Sequence, residues 1–181
     1  MDAELAPRLE TERLVLRGWR EAHAEAYAAM TADPEVMEFL GGTLDRGQSW
    51  RHMALLTGHW TLRGYGLWVV EEKAGGAFLG RIGLWRPEGW PGLELGWTLA
   101  REAWGHGFAT EAARAAMAWG WAQLDVAQLI SIIAPENAAS IRVAERLGMR
   151  PGRDHELDGK HVILWEIDRP RSGGVIDRAR G

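Results

Sequence analysis

With 181 residues, 46% of them apolar, the chain is long enough to bury one sizeable core and too short for two comfortable domains, so a single domain over 1–181 is expected. Lys and Arg number 21 against 25 Asp and Glu, a mildly acidic balance without the cationic surplus that phosphate-backbone binding needs, so nucleic-acid binding is not expected. Cysteine is absent, which excludes disulfides, a thiol nucleophile and thiolate-held zinc or iron–sulfur centres within the chain.

The opening Met1-Asp2-Ala3-Glu4 carries acids where a secretory signal carries positive charge. The longest apolar run, Ala115 to Ala122, falls far short of the roughly 20 residues that cross a bilayer. A soluble, cytoplasmic protein that does not enter a membrane is therefore expected. Eleven tryptophans supply large, rigid apolar surface for a core or a pocket lining, and composition does not decide between the two.

In chain order, Leu14 and Leu16 alternate with more polar neighbours and predict a first strand over Arg13–Arg17. Ala-rich text from Arg20 to Met30 reads as a helix, and a second runs from about Arg46 to Leu62 after the Gly41-Gly42 break. Three strands follow, Leu67–Glu71, Phe78–Trp85 and Leu93–Leu99, joined by short Gly- and Pro-rich turns that imply an antiparallel meander. Beyond Gly107, Phe108, Ala112, Ala115, Trp119 and Ala122 recur at helical spacing, which predicts a long amphipathic helix with those residues inward. Leu129–Ala134 reads as a buried strand, and Asn137–Leu147 as a helix capped by Asn137 with Gly148 just past its end. Strands at Met149–His155 and His161–Ile167 flank an Asp158-Gly159 turn, and a polar tail from Arg169 is expected to be flexible. The order β-α-α-β-β-β-α-β-α-β-β predicts an α/β (α+β) fold, a mixed sheet of about seven strands with about four helices against it.

Chemistry concentrates in Trp97 to Ala112. A strand ends, a loop places Gly105 and Gly107 one residue apart, and a helix begins at once. Glycines allow close backbone approach to a bulky anion while the free N–H groups and positive dipole end of the helix point at it, the makings of a pyrophosphate cradle. A lone Gly-x-Gly is more often only a tight turn. The Walker signature fails because Phe108-Ala109 stand where Lys-Ser/Thr is required, and the dinucleotide fingerprint fails because Thr110 occupies its third glycine position.

Two runs resemble a known family. Leu93-Glu94-Leu95-Gly96-Trp97-Thr98-Leu99, followed by Trp104-Gly105-His106-Gly107-Phe108-Ala109-Thr110-Glu111-Ala112, resembles the acetyl-CoA motif of the GNAT (GCN5-related) N-acetyltransferases. Asn137 to Met149 resembles that family's Asn-capped helix ending in Leu-Gly-Phe, with Met149 in place of Phe, and Glu12 to Arg17 also fits. Together they point to the branch resembling ribosomal-protein N-terminal (alanine/serine) acetyltransferases, over roughly residues 8–168. The chain departs at Glu102, where the family commonly has Arg or Gln.

The resemblance implies a GNAT-type acyl-CoA acyltransferase fold, mostly antiparallel, with Leu93–Leu99 and Leu129–Ala134 (the fourth and fifth predicted strands) splayed apart around a pantetheine arm. It implies acetyl-CoA as cosubstrate and direct transfer of acetyl to a primary amine in a ternary complex. Residues matching its cofactor site are Trp97, Thr98, Leu99, Trp104, Gly105, His106, Gly107, Phe108, Ala109, Thr110, Asn137 and Ser140; Arg142 and Arg146 are candidates for a phosphate of the coenzyme, though cations near a helix C-terminus are ordinary. Glu94 interrupts apolar neighbours in a central strand and is the candidate general base, against the alternative of a solvated face residue. Many relatives place a thiolate-protonating Tyr where this chain has Ala144, so Ser140 is the candidate donor, against the alternative of a backbone-bonded first-turn serine. His52, His59, His106, His155 and His161 lack metal-ligand spacing, and no metal is expected. The family's acceptor pocket maps to about Leu40–Gly64 and Asp154–Lys160, with Trp50, Trp60, His52, His59 and Asp158; this mix leaves a peptide N-terminus, a polyamine, an amino acid and an aminoglycoside all open. A non-catalytic acyl-CoA sensor is the alternative function, and a homodimer is possible.

Overall fold

The computed structural model describes residues 6–170, so the acidic start and most of the predicted tail lie outside the described residues. The strands are β1 (Leu9–Glu10), β2 (Leu14–Arg17), β3 (Leu67–Glu72), β4 (Phe78–Trp85), β5 (Glu94–Leu99), β6 (Gln128–Ile133), β7 (Arg150–Leu157) and β8 (Lys160–Asp168). The helices are α1 (Ala24–Ala32), α2 (Pro34–Met37), α3 (Arg46–Arg63), α4 (Phe108–Gln123) and α5 (Ala138–Leu147). All eight strands form one sheet in the order β1-β2-β3-β4-β5-β6-β8-β7. Every neighbouring pair is antiparallel except β5 and β6.

Two elements exceed the sequence expectation of seven strands and four helices. β1 is only two residues, paired to Val15 and Leu16, too short to show a period. α2 is one turn, started by the Asp33 carboxylate accepting from the Glu35 N–H with Pro34 in the first helical position. The Asp158-Gly159 hairpin turn forms as expected, with positive φ at both residues (50° and 74°).

The predicted inward face of α4 is corrected. Phe108, Ala112, Ala113, Ala116 and Gly120 are buried, whereas Ala115 is half-buried and Ala122 exposed. Small residues on that stripe let the helix lie close to the sheet: a Cβ on Gly120 would sit 2.8 Å from Leu84 Cδ1. Trp119 lies beside this stripe and joins Trp60 and Trp68 in an edge-to-face cluster, with centroids 4.6 to 5.8 Å apart. α4 covers one face of the sheet over Leu84, Leu95 and Leu99. α1 and α3 cover the other, where Tyr27, Met53, Leu56 and Leu67 form a second core. Burying each such side chain contributes about 1.5–3 kcal/mol before entropy is subtracted.

Candidate active site

The site begins where β5 and β6 part. Their backbone pairing is a single register position, Glu94 opposite Ile130, fixed by the Ile130 N–H donating to Leu93 O at 2.9 Å. One step on, the buried Ser131 hydroxyl donates to Leu95 O at 2.6 Å, a side chain standing in for the next rung. Beyond it the strands diverge, and a cleft of about 930 Å³ opens, walled by Gly96, Trp97 and Thr98 on one side and Ile132, Ile133 and Ala134 on the other.

Glu94 sits at the apex of this fork. The Trp90 indole N–H donates to its Oε2 at 2.7 Å, and the Ile132 N–H also bonds the carboxylate. Burial pushes its pKa above the ordinary carboxylate value, an effect that these two hydrogen bonds and the charge of Arg81 only partly offset. A carboxylate so placed is a stronger base than one in water and faces the cleft.

At the other end of the site, Gly105 and Gly107 both adopt φ of 80°, the left-handed region that a side chain disfavours. Space above Gly105 is open within 4 Å, and Gly107 leads straight into α4 with no side-chain cap, so the first-turn N–H groups point outward without a protein acceptor from the cap. A surface cavity of about 870 Å³ lies over this turn, lined by Gly105, His106, Gly107, Thr110, Arg114 and Arg146 among others. The β1–β2 turn straps the loop in place. Arg13 donates from Nη1 to His106 O at 3.0 Å, pairs with Glu111 at 2.7 Å, and stacks its guanidinium 4.6 Å from the Phe108 ring centroid. Thr11 Oγ1 adds a 2.6 Å bond to Glu111. Burial raises the Glu111 pKa, but the Thr11 and Arg13 bonds and the Arg13 charge outweigh it and hold the carboxyl below its usual range.

The predicted residues divide accordingly. Glu94, Trp97, Thr98, Asn137 and Ser140 line the fork, and Gly105, His106, Gly107 and Thr110 line the cradle. Asn137 caps α5 through Oδ1, which accepts from the Ser140 N–H at 3.0 Å, while Ser140 Oγ accepts from the Trp97 indole at 3.3 Å and keeps its own proton for another acceptor. Phe108 is buried in the core, and Trp104 is anchored by its indole to Leu99 O at 2.9 Å. Arg146 reaches the cradle rim, but Arg142 is exposed and lines neither cavity. Ala144 is fully buried, and Glu102 is exposed.

On the acceptor side, His52 and Asp158 line the cleft. Trp60 is a core residue, Trp50 turns to Glu21, and His59 is buried with Nδ1 against Tyr65 O at 2.8 Å and its ring stacked on Trp85. Sequence reasoning missed Arg81, Tyr27, Trp90 and Ser131. Each looks like an ordinary strand, helix or loop residue until the fold brings Arg81, Trp90 and Ser131 to the cleft and sets Tyr27 against Arg81. Among the described residues no three His, Cys, Asp or Glu side chains are grouped to hold a metal ion, and no helix is long and apolar enough to cross a membrane.

The family model described as an acetyltransferase (GNAT) domain matches residues 13–150, most of the chain. The chain belongs to the GNAT acetyltransferase family. Its relatives include the uncharacterized protein YkkB of Bacillus subtilis, 34% identical over 88% of this chain and 94% of that one. A solved structure, the acetyltransferase from Agrobacterium tumefaciens, superposes with a TM-score of 0.82 at 30% identity, covering 91% of this chain and 95% of that one. RimL, a ribosomal L7/L12 alpha-N-protein acetyltransferase solved with coenzyme A, shares the fold at a TM-score of 0.74 and 16% identity, over 90% of this chain and 98% of that one. The GNAT fold thus extends to ribosomal-protein acetyltransferases.

Proposed function

We propose that this GNAT protein is one acetyltransferase domain that transfers acetyl from acetyl-CoA directly to a primary amine, the two substrates meeting at the β5–β6 fork. The observation that carries this reading is the position of Glu94, a carboxylate of raised pKa at the apex of the fork, open to the cleft. The residues present suit the coenzyme. An uncapped helix start behind two left-handed glycines offers N–H groups to a diphosphate, and Arg114 and Arg146 border the same cavity. When bound, acetyl-CoA supplies an activated acetyl group as a thioester.

Every other task falls to the chain. An alkyl ammonium has a pKa of roughly 10 and must lose a proton before it can attack, and Glu94 takes that proton, directly or through one water. By strand alternation, the odd-numbered residues of β5 present their amides to the fork, because Leu93 and Leu95 already accept from β6 there. The Trp97 N–H is the next in that series, where no β6 partner pairs with it, and it is placed to bond an oxygen that gains charge as the amine adds. Ser140 Oγ, held by the Trp97 indole, donates a proton to the leaving sulfur. Direct transfer needs no protein nucleophile.

Incubating the protein with acetyl-CoA and a panel of amines while following free thiol tests the reading. Amine-dependent release of CoA is expected. Tight CoA binding with no amine that accelerates release would replace the enzyme with a sensor.

A further inference from the structure

Resting on that reading, we infer that the acceptor amine also carries a carboxylate, and that Arg81 receives it: the acceptor belongs to the amino-acid class.

Arg81 lies on β4 opposite Thr98, and Glu94 lies on β5 opposite Trp85. The antiparallel register puts Arg81, Trp85, Glu94 and Thr98 on one face of the sheet, four residues apart along the strands or about 13 Å between backbones. The positions between them are Gly83 and Gly96, which face each other in register. No side chain of β4 or β5 therefore stands between the guanidinium and the carboxylate. A Cβ on Gly83 would clash with Gly66 O at 2.3 Å, whereas Gly96 has room for one, with Glu94 Oε1 at 3.8 Å and the Leu67 side chain at 3.9 Å, so the usable space lies over Gly96 beside Leu67.

Arg81 bonds the Tyr27 hydroxyl and still has donors to spare. Its Nε is buried with no hydrogen-bond acceptor, and among the described residues it makes no ion pair with any carboxylate. Its neighbours are the Tyr27 hydroxyl and, behind that, His52, whose Nδ1 lies 2.8 Å from the Tyr27 oxygen. Neither supplies negative charge, since burial holds the phenol protonated and keeps the imidazole neutral, with a pKa pulled down to about 4. Arg81 is half-buried and its charge acts on Glu94 without forming an ion pair with it, and a planar five-donor fork matches a carboxylate better than any other small group. Arg51, Lys160, Glu38, Glu136 and Asp158 all lie exposed at the rim of the same cavity, so Arg81 and Glu94 are the charged groups set deeper in it. An amine whose nitrogen sits at Glu94 and whose acid group lies toward Arg81 answers both charges along the glycine floor.

The test compares L-amino acids with their C-terminal amides as acceptors, in the wild-type protein and in Arg81→Met and Arg81→Gln. Because an amide lowers the pKa of its amine, the readout is the acid-to-amide ratio of kcat/KM in wild type divided by that ratio in the variant. That quotient is expected to be about ten- to a hundredfold, with acetyl-CoA affinity unchanged as the check on folding. A quotient near one, or variants that merely shift the pH profile equally for acids and amides, overturns the proposal and leaves Arg81 as a counter-charge for Glu94. Release of CoA with simple alkyl amines but no preference for acids also overturns it while sparing the acetyltransferase reading. If no amine supports turnover, titration of N-acetyl amino acids and their amides into the CoA-saturated protein decides separately. Arg81-dependent binding of the acids upholds the anion site, and equal binding by wild type and variants removes it.

Discussion

The indole of Trp90 donates to the carboxylate of Glu94 at 2.7 Å, from the loop that delivers the chain into β5. The bond aims the carboxylate and partly offsets the burial that raises its pKa. Because protonated Glu94 cannot accept a proton from the amine, kcat/KM should fall as pH drops through a value above the ordinary carboxylate pKa of about 4.3. Glu94→Gln should lower kcat about a hundredfold or more and abolish that limb, with acetyl-CoA affinity unchanged. Trp90→Phe removes an acceptor-side bond that favours the ionised form, so it should move the limb to higher pH; a pH–rate series on the three proteins checks both.

Ser140 should matter for turnover more than for binding. With its oxygen held by Trp97, the hydroxyl is oriented rather than free to spin. Ser140→Ala is expected to lower kcat by about ten- to a hundredfold while leaving the KM for acetyl-CoA within about twofold. Full turnover in steady-state assays would move the proton donor elsewhere.

A Cβ at position 107 must adopt φ of 80° on the cradle, 3.6 Å from Arg13 Nη2. Gly107→Ala should cost about 1–2 kcal/mol of local strain and weaken CoA binding by roughly tenfold, read by calorimetric titration.

Glu111 ties α4 to the β1–β2 turn through Thr11, the Arg13 N–H and the Arg13 guanidinium. Its folded-state pKa is lowered, so its contribution is fully present above the unfolded value of about 4.3 and is lost as pH falls through the lower folded value. Glu111→Gln should reduce unfolding free energy by about 1–2 kcal/mol at neutral pH and flatten the acid side of the stability profile. Urea melts between acid and neutral pH measure both effects.

Much of this fold is written locally. Phe78–Trp85 is largely apolar and bounded by glycine-containing turns, and β4 occupies that span; Asn137 and Gly148 bracket α5 as cap and stop. The glycine cradle was legible for the same reason, since its φ angles demand residues that stand out. What stayed hidden depends on register. The inward stripe of α4 is set by where small residues can approach Leu84, which a count of apolar spacings at Ala115 and Ala122 does not reveal. Arg81 reads as a routine polar strand position until pairing with Thr98 puts it across the glycine floor from Glu94. Of the tryptophans, Trp68 is entirely interior and Trp90 serves the site, a division that composition leaves open.

The lone backbone rung between β5 and β6 also shapes how the protein comes apart. The leaf β1–β5 and the leaf β6–β8 share almost no ladder, so they are fastened largely by side chains: one apolar core joins Leu129, Ile133 and Trp165 to Leu84, Leu95 and Leu99, and α4 packs on β4 and β5 and touches α5. Amide protons along the inner border of β6 therefore open more readily than those of a continuous sheet. A molecule threaded between the leaves acts as the missing stitch, so occupancy and cohesion of the two halves rise and fall together.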